Sequence, residues 1–316
     1  MILAISGGVG GARLCQGLVQ ILQPSELAIV VNVGDDFEHF GLSISPDIDT
    51  VMYTLAGLHH RQQGWGRADE TWNFMEVLAR LGADTWFQLG DRDLAVHIAR
   101  THRLASGETL STITADFCNR LGIAHRVLPV TDQRLRTRVL TRDMGELEFQ
   151  DYFVKRRSEP SITGLRFDGS AQANLSAPLA RLIDSGSDKT IRGVIVCPSN
   201  PWLSVAPVRA VKPFAHWLES QRIPVVAVSP IIGGQAVKGP AAKIMRELGV
   251  GQDTLGVVDH YGSWVTGWVI DRADEALADA IRARGNEVAV TDTLMRTPLI
   301  ARAVAQTAVD LLNAVA

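Results

Sequence analysis

Four glycines crowd one short turn near the start of the chain, and their spacing is suited to binding an anion. Gly7, Gly8, Gly10 and Gly11 stand between an apolar, strand-like run at 1–5 and a helical stripe of leucines. Glycine lets backbone N–H groups approach an anion closely, and a helix N-terminus adds unpaired donors and partial positive charge. The turn therefore predicts a phosphate site. The simpler interpretation is a strand-to-helix turn without a ligand.

This turn does not match the two common nucleotide-binding fingerprints. A Walker A loop has Lys followed by Ser or Thr after its last glycine, whereas Ala12 and Arg13 follow Gly11. Counted from Gly8, the third glycine of the dinucleotide pattern GxGxxG would fall on Arg13. Ordinary P-loop kinases and NAD enzymes are therefore disfavoured.

Carboxylates follow the next predicted strand, at 27–33. Asp35 and Asp36 are adjacent, and two carboxylates facing a phosphate would repel it unless a divalent cation bridged them. Oxygen ligands of this kind suit Mg²⁺, whereas an exposed acidic turn is the alternative. Asp47 and Asp49 come at the start of a predicted helix, where acids stabilise the positive end. That role accounts for Asp47, and Asp49 is also a candidate for the mouth that Asp35 faces.

Polar residues also follow later apolar runs, and ligands of open α/β sheets bind beyond the carboxyl ends of strands. Arg92 stands between two acids and is suited to a phosphate or a polar ring edge, or to a structural ion-pair network. Ser199 and Asn200 offer a hydroxyl and an amide that could read a base, cradle a phosphate or cap a rigid turn. A second predicted anion site comprises Ser229, Lys238 and Gly239.

Composition narrows the class of protein. The chain has 316 residues, of which 46% are hydrophobic, and this is enough for a large core and excludes a disordered or fibrous protein. The formal net charge of −3 gives no general attraction to nucleic acid or to an anionic membrane, so neither is expected as a partner. No apolar run reaches the roughly 18 residues of a membrane span, and no signal peptide is recognised, so we expect a cytoplasmic protein. Cys15, Cys118 and Cys197 show no disulfide or zinc spacing and are expected to be buried.

Apolar runs alternate with helical patterns, which is typical of a mostly parallel sheet with helices on both faces. The predicted strands are 1–5, 27–33, 191–197, 223–228, 255–258 and 266–270. The predicted helices are 11–22, 47–58, 71–81, 93–104, 109–121, 207–219, 240–248, 273–283 and 297–315. We therefore predict an α/β, Rossmann-like nucleotide-binding core at 1–60 and 190–316. Residues 61–189 are predicted to be an inserted, largely helical subdomain with a β-ribbon at 137–167 and a surface connection at 170–189.

Six blocks of sequence occur in a fixed order along the chain. They are SGGVGGARLCQGL, VNVGDDFEHFGLSISPDIDTVMYTLAG, LGDRDLAVHIAR, FQDYFV, VCPSNPWLSVAPV and VAVSPIIGGQAVKGPAAKIM. Together they resemble the 2-phospho-L-lactate transferase family of coenzyme F420 biosynthesis. The resemblance implies a Rossmann-like homodimer that moves a phospho-acid from a guanosine-diphospho-activated donor to the ribityl hydroxyl of the deazaflavin Fo. GMP leaves, Mg²⁺ assists, and the group moved is phospholactyl, phosphoenolpyruvyl or phosphoglyceryl.

The resemblance also implies which residues bind the substrates. Asp49 and Arg92 match the positions that hold the deazaflavin, and Gly7, Gly8 and Gly10 lie against the transferred phosphate. The residues in the blocks expected around the guanosine nucleotide are Ser199, Asn200, Ser229, Lys238 and Gly239. These assignments agree with the two anion sites that the residue pattern predicts.

The expected catalytic residues are Asp36, Asp49 and Arg92. By the same resemblance, Asp35 and Asp36 become the expected Mg²⁺ ligands, and Asp36 or Asp49 is expected to accept the proton of the acceptor hydroxyl. Positioning should matter more than a strong base, because the phosphoryl oxygens carry most of the charge in the transition state. Trp65 stands between two glycines and is a candidate for stacking on the deazaflavin ring, although buried packing is the commoner role of Trp.

The first loop departs from the pattern of many family members, which have Thr and then Pro-Lys where this chain has Val9, Gly11, Ala12 and Arg13. This departure leaves the identity of the donor acid open. A rival hypothesis is a non-enzymatic metabolic regulator that binds nucleotide sugars, from a related group with a similar GG loop. The GDRD and FQDYFV blocks and Asp49 favour the transferase, because a nucleotide sensor does not need them.

Overall fold

A computed structural model of the chain describes residues 1–60, 62–184, 191–220, 223–236 and 240–315. The predicted anion-site residues Lys238 and Gly239 lie outside the described residues. The strands are β1 (Ile2–Ser6), β2 (Leu27–Val31), β3 (Phe37–His39), β4 (Leu42–Ile44), β5 (Arg126–Pro129), β6 (Arg136–Thr141), β7 (Glu146–Glu148), β8 (Ile162–Asp168), β9 (Gly193–Val196), β10 (Val225–Val228), β11 (Ile231–Ile232), β12 (Gln235–Ala236), β13 (Gly267–Asp271) and β14 (Glu287–Thr291).

Helices connect most of these strands. They are α1 (Gly8–Leu18), α2 (Pro46–Leu55), α3 (Asn73–Arg80), α4 (Asp91–Ala105), α5 (Leu110–Arg120), α6 (Ala177–Ile183), α7 (Ala206–Ala210), α8 (Lys212–Ser220), α9 (Ala241–Glu247), α10 (Thr254–Tyr261), α11 (Ala278–Arg282) and α12 (Pro298–Ala314). Short π-helical turns occur at Asp151–Lys155 and Pro201–Val205, and 3₁₀ turns at Gly262–Trp264 and Arg272–Leu277. Within the described ranges, no helix is long and apolar enough to cross a membrane.

Seven of the described strands form one parallel sheet in the order β14-β13-β10-β9-β1-β2-β5. The chain builds the sheet outward from β1 in one direction and later from β9 in the other. Ile5 of β1 pairs with Val30 on one side and Val196 on the other. The carboxyl ends of β1 and β9 therefore form the topological switch point, where α/β sheets open a crevice for ligands.

The main core surrounds the centre of this sheet. All five residues of β1 and all five of β2 are buried, as expected for strands covered on both faces. Helix α12 packs on α1 and on β9, β10, β13 and β14. Burial of each large apolar side chain in such a core stabilises the fold by roughly 1.5–3 kcal/mol. The α/β fold class predicted from the alternating pattern is confirmed, and all three cysteines are buried and unpaired, as expected.

A second, smaller core lies beside the main one. It is formed by Phe37, Ile44, Met75, Leu89 and Leu94, which come from the β3–β4 hairpin and the segments of α3 and α4. A separate antiparallel sheet has the order β7-β6-β8 and occupies the stretch 137–167 where a β-ribbon is expected. Ile44 of the smaller core and the segment 149–154 that follows β7 contribute residues to the cavity described below.

Several elements differ from the sequence-based expectations, among them one strand that is a helix, one unexpected helix and strands with no predicted counterpart. The apolar run 255–258 is part of α10 and not a strand, because Asp253 accepts a hydrogen bond from Gly256 and caps a helix there. The expected surface connection at 170–189 contains α6. Strand β14 has no counterpart in the prediction, because it is a partly exposed edge strand with a weak apolar pattern.

Strand β5 bears on the predicted division of the chain. It lies within residues 61–189, the predicted insertion, yet it pairs with β2 in the main parallel sheet. Helix α5 packs against β5. The main sheet therefore draws at least one strand from the segment that the sequence pattern assigned to the inserted subdomain.

Candidate active site

A cavity of about 500 Å³ opens at the switch point between β1 and β9. This volume is in the range of small-molecule sites. Its walls come from the β1–α1 turn, the loop after β2, α2, α4, the segment 149–154, and the loops after β9, β10 and β14. The cavity is thus lined by residues that follow strands far apart in the sequence.

The glycine turn forms the floor of one end of this cavity. The Gly7 N–H donates to Ser199 Oγ at 3.0 Å, and the Gly8 N–H donates to Asp47 Oδ1 at 2.7 Å. Gly8 has a left-handed backbone with φ of +62°, which favours glycine. The first two N–H groups of the turn are therefore already engaged by side chains from the β9 loop and α2.

The later glycine of the turn is needed for close packing. A Cβ on Gly10 would overlap the carbonyl oxygen of Pro198, in the loop that follows β9. Val9 and Gly10 lie in the first turn of α1, where a helix supplies no acceptors for the N–H groups. Both residues line the cavity, so this helix start keeps the donors that a phosphate requires.

Asp35 and Asp47 are two buried carboxylates on the cavity wall beside the glycine turn. Asn32 Nδ2 donates to Asp47 Oδ2 at 2.9 Å, and burial raises the pKa of Asp47 to about 6. Burial raises the pKa of Asp35 well above its ordinary value, and the charge of Asp47 adds to this effect. Asp35 Oδ1 is buried and has no hydrogen-bond partner among the described residues. An unpartnered carboxylate oxygen beside a second carboxylate is suited to a divalent cation.

Asp36, unlike its chain neighbour Asp35, lies outside the cavity lining. It is nevertheless buried. Ser45 Oγ donates to Asp36 Oδ2 at 2.8 Å, so Ser45 does not cap α2 with its side chain as the helix-start pattern suggested. Burial raises the pKa of Asp36 to about 7, and the Arg136 charge opposes that rise. The structure therefore brings Asp35 together with Asp47, and not with Asp36, at the cavity.

Asp49 also lines the cavity, and a buried arginine holds it. Arg100 Nη1 donates to Asp49 Oδ2 at 3.0 Å, and Arg100 Nη2 donates to Asp49 Oδ1. The Arg100 side chain is only 1% exposed. Burial raises the pKa of Asp49, whereas the charge of Arg100 opposes that rise. Asp49 thus sits at the cavity wall with both oxygens bound from behind.

Asp93 and His97 of α4 and Tyr53 of α2 extend this network. His97 Nε2 lies 3.1 Å from Asp93 Oδ2, and Tyr53 donates its hydroxyl to Asp93 Oδ1 at 2.6 Å. His97 Nδ1 lies 3.7 Å from Asp49 Oδ2. Asp49, Asp93 and His97 bring three potential metal ligands within 4.8 Å of one another. Because Arg100 already balances one of the two carboxylate charges, the electrostatic gain from a further cation there is reduced.

Arg92 is on the same helix as Arg100 but faces elsewhere. Its side chain is 54% exposed, lies 4.0 Å from Asp69 and is not part of the cavity wall. The neighbouring Asp91 accepts hydrogen bonds from the backbone of Asn73 and Phe74 at the start of α3. The structure therefore does not bring Arg92 together with Asp49. Asp91 of the GDRD block instead caps the start of α3.

Polar side chains of the loops after β9 and β10 line the cavity and also form hydrogen bonds that stabilise these loops. Asn200 Oδ1 accepts from the N–H groups of Trp202 and Leu203, at 3.0 and 3.1 Å. Ser229 Oγ lies 3.0 Å from Thr254 Oγ1. Ser199, Asn200 and Ser229 all line the cavity, so these predicted nucleotide-site residues converge on one place.

Aromatic rings form another part of the cavity wall. Trp65 lines the cavity and is 51% exposed. Phe149 and Phe153 stack with ring centroids 5.3 Å apart, and Trp86 meets Phe87 edge-on at 5.6 Å. All five rings lie along the cavity. Phe149 and Phe153 were not predicted as site residues, although the FQDYFV block contains both.

Arg13 is the permanently charged basic residue of the described cavity lining. Its Nη1 donates to the carbonyl oxygen of Met295 at 2.8 Å, and no carboxylate of the described chain pairs with it. The guanidinium therefore keeps donors for an anion. Sequence reasoning noted Arg13 only as a departure from the family pattern.

The sequence did contain a signal for the other residues that the prediction missed. Asp93, His97 and Arg100 are spaced by four and then three positions, so they share one face of a helix. Periodicity of this kind marks a common face. Only the packing of α4 beside β4 shows that this face meets Asp49.

An open parallel sheet with a cavity at its switch point, a glycine turn and buried carboxylates defines the class of the molecule. It is an α/β protein with a small-molecule site beyond the carboxyl ends of its strands. The chain belongs to the 2-phospho-L-lactate transferase family, because a family model described as 2-phospho-L-lactate transferase CofD matches residues 2–309.

Relatives named phosphoenolpyruvate transferase are similar along nearly the whole chain. The protein from Streptomyces griseus is 36% identical over 315 residues, which cover 98% of each chain. The protein from Thermobifida fusca is 38% identical over 323 residues, covering 98% of this chain and 97% of the relative. The protein from Mycobacterium tuberculosis is 36% identical over 315 residues, covering 92% and 94%. The chain is therefore a phospho-acid transferase of coenzyme F420 biosynthesis, which rules against the non-enzymatic alternative.

Among solved structures, a UPF0052 family protein from Bacillus halodurans has the same fold. The TM-score is 0.58 at 12% sequence identity, and the match covers 92% of both chains. At that identity the similarity concerns the fold alone. It agrees with the parallel sheet and the flanking helices described above.

Proposed function

We propose that this transferase moves a phosphoenolpyruvyl group from a guanosine-diphospho-activated donor to the ribityl hydroxyl of the deazaflavin Fo, with release of GMP. The observation that carries the proposal is a single cavity that joins a glycine turn, two buried carboxylates and an aromatic wall. The name of the relatives, phosphoenolpyruvate transferase, supports enolpyruvate among the three acids that the sequence left open.

The donor belongs at the end of the cavity formed by the glycine turn. Free N–H groups at the start of α1 favour a phosphate, and Arg13 supplies the fixed positive charge of the described lining. Ser199 and Asn200 stand across from this turn at the end of β9. The diphosphate of the donor therefore has both backbone donors and a cation within one site.

The acceptor belongs between the aromatic wall and Asp49. A deazaflavin is a flat, largely apolar ring system, and Phe149, Phe153 and Trp65 offer ring faces along the cavity. Asp49 presents a carboxylate that can accept a hydrogen bond from a ribityl hydroxyl, because each oxygen bound to Arg100 retains a second lone pair.

Asp35 and Asp47 are the residues that would hold Mg²⁺. The fit rests on the unpartnered Oδ1 of Asp35 and on the position of both carboxylates beside the glycine turn. Asp36 does not line the cavity and its Oδ2 accepts from Ser45, so Asp47 replaces it in the proposed ligand pair. When bound, Mg²⁺ supplies charge that offsets the diphosphate of the donor.

The proposed reaction is a displacement at the phosphorus that bears the acid. The acceptor oxygen forms a new bond to this phosphorus, and the bond to the bridging oxygen of GMP breaks. The hydroxyl proton passes to the Asp49 carboxylate, the group proposed to bind the acceptor hydroxyl, as the new bond forms. Arg13 and the first-turn N–H groups of α1 stabilise the oxygens of the phosphoryl group.

The direct test is a transfer assay with purified protein, Fo, Mg²⁺ and each activated acid in turn. Formation of the Fo adduct of enolpyruvyl phosphate, together with one GMP for each product, would support the proposal. Product from the phospholactyl donor alone would overturn the choice of acid. Absence of any product and of any Fo binding, followed by deazaflavin fluorescence, would overturn the proposed acceptor. The proposed homodimer is tested by sedimentation of the same preparation.

A further inference from the structure

Arg100 connects three elements behind the cavity wall. Its Nη1 and Nη2 donate to the two oxygens of Asp49 on α2, and Nη1 also lies 3.3 Å from the carbonyl oxygen of Ser43 on β4. The side chain is 1% exposed, so a ligand in the cavity meets Asp49 and not the guanidinium itself. A planar, two-pronged contact fixes both the position and the rotation of a carboxylate.

His97 holds this arginine from the other side. Its Nδ1 lies 3.3 Å from Arg100 Nη1, and its Nε2 lies 3.1 Å from Asp93 Oδ2. Arg100 has only donors, so its contact assigns the role of acceptor to Nδ1 and the proton to Nε2, which faces the Asp93 carboxylate. Asp93 in turn accepts from Tyr53 at 2.6 Å. Arg100, His97 and Asp93 therefore form one chain of polar contacts that ends at Tyr53.

We propose that Arg100 and His97 are positioning residues that aim the Asp49 carboxylate at the acceptor hydroxyl. The inference rests on the proposed function, since it needs Fo at Asp49. Neither residue matches a position that the family resemblance assigned to the acceptor. The contact between α2 and α4 thereby becomes part of the acceptor site, in which Asp49 and His97 line the cavity and the buried Arg100 does not.

Substitution on one helix provides a matched test. Arg100→Lys keeps the charge but loses the fork, so the Fo adduct should form with a kcat lower by about tenfold to a hundredfold, the scale expected for a displaced catalytic contact. The KM for the donor should stay within about twofold of wild type, because the glycine turn and Arg13 are untouched. Arg103→Gln is the control, since Arg103 is ion-paired with Glu108 and Asp116 and does not line the cavity.

Substitution of His97 tests the same proposal without breaking the ion pair of Asp49. His97→Leu removes the acceptor that orients Arg100, whereas His97→Asn retains an oxygen near the position of Nδ1. We expect His97→Leu to lower kcat and His97→Asn to recover most of it. His102→Asn, at an exposed position of the same helix, is the control.

Two results would overturn the inference. The first is a kcat for Arg100→Lys and His97→Leu equal to that of the two control variants, in an enzyme whose wild type forms the product. The second is a parallel loss of donor binding and of thermal stability, which would give these residues a purely structural role. If Arg100→Lys does not fold, the His97 pair still decides the outcome. Failure of the wild type to form the product would instead contradict the proposed function.

Discussion

At the scale of single residues, the direction of a side chain decides its chemistry here. Asp35 and Asp36 are neighbours in the chain, yet only Asp35 lines the cavity. Asp36 accepts from Ser45, and burial raises its pKa to about 7. Asp47, which looked like an ordinary helix-start acid, accepts from the Gly8 N–H of the glycine turn. Residue type alone therefore does not identify which carboxylates line the cavity.

This difference gives a prediction about Mg²⁺. Asp47→Asn removes one of the two proposed ligand charges, so the Mg²⁺ concentration for half-maximal transfer should rise by at least about tenfold. Asp36→Asn should change it by less than about threefold, because that side chain does not reach the cavity. Activity titrated with Mg²⁺ after removal of metal by a chelator measures both. Equal shifts in the two variants would contradict the assignment.

At the scale of elements, acidic side chains bind the free N–H groups at the starts of α3 and α4. Asp91 at the start of α4 accepts from the backbone of Asn73 and Phe74 at the start of α3. Glu70 accepts from the N–H groups of Arg92 and Asp93. Each acid satisfies donors that a helix start leaves open. The GDRD block therefore sets the orientation of α4, and with it the direction in which Arg100 points.

Asp91→Asn tests this capping role through its pH dependence. Hydrogen bonds from Thr71 and from the α3 start lower the pKa of Asp91 to about 2. A lowered pKa in the folded state means that the carboxylate stabilises the fold above its unfolded pKa of about 3.9. This contribution is lost as the pH falls through about 2. The variant should melt at a lower temperature than wild type at pH 7, and the difference should shrink between pH 4 and pH 2. Thermal melts of both proteins across this pH range measure the difference in melting temperature. A difference that does not change with pH would argue against the capping role.

At the scale of the whole molecule, the cavity exists because the sheet reverses its order between β1 and β9. The helices that follow diverging strands leave a crevice there. The same reversal brings the start of the chain against its last helix, where α1 packs on α12. A Cβ on Gly17 would overlap the carbonyl oxygen of Ala301. The glycine turn is therefore held by a contact between opposite ends of the sequence.

We expect Gly17→Ala to destabilise the fold by about 1–3 kcal/mol, the usual cost of overpacking. Gly164→Ala is the matched control, because its Cβ would meet only Leu140 Cδ1 at 3.4 Å. That variant should stay within about 0.5 kcal/mol of wild type. Urea unfolding of the three proteins gives the comparison. A Gly17→Ala protein as stable as the control would contradict the close approach of α1 to α12.

The class of fold and the glycine turn could be read from local patterns, because strand and helix periods and turn glycines act over a few residues. The carboxylates near the turn and the family could also be recognised from the sequence, the family through the resemblance of six ordered blocks. The tertiary structure alone decided that Asp49 meets Arg100, which is 51 residues away, and that Arg92, two turns earlier on the same helix, lies outside the cavity. A helical pattern shows which residues share a face, but the contact of that face depends on how α4 packs against β4. The choice of Asp47 over Asp36 has the same origin. Only the folded chain shows that Asp47 of α2 lines the cavity together with Asp35, whereas Asp36 does not.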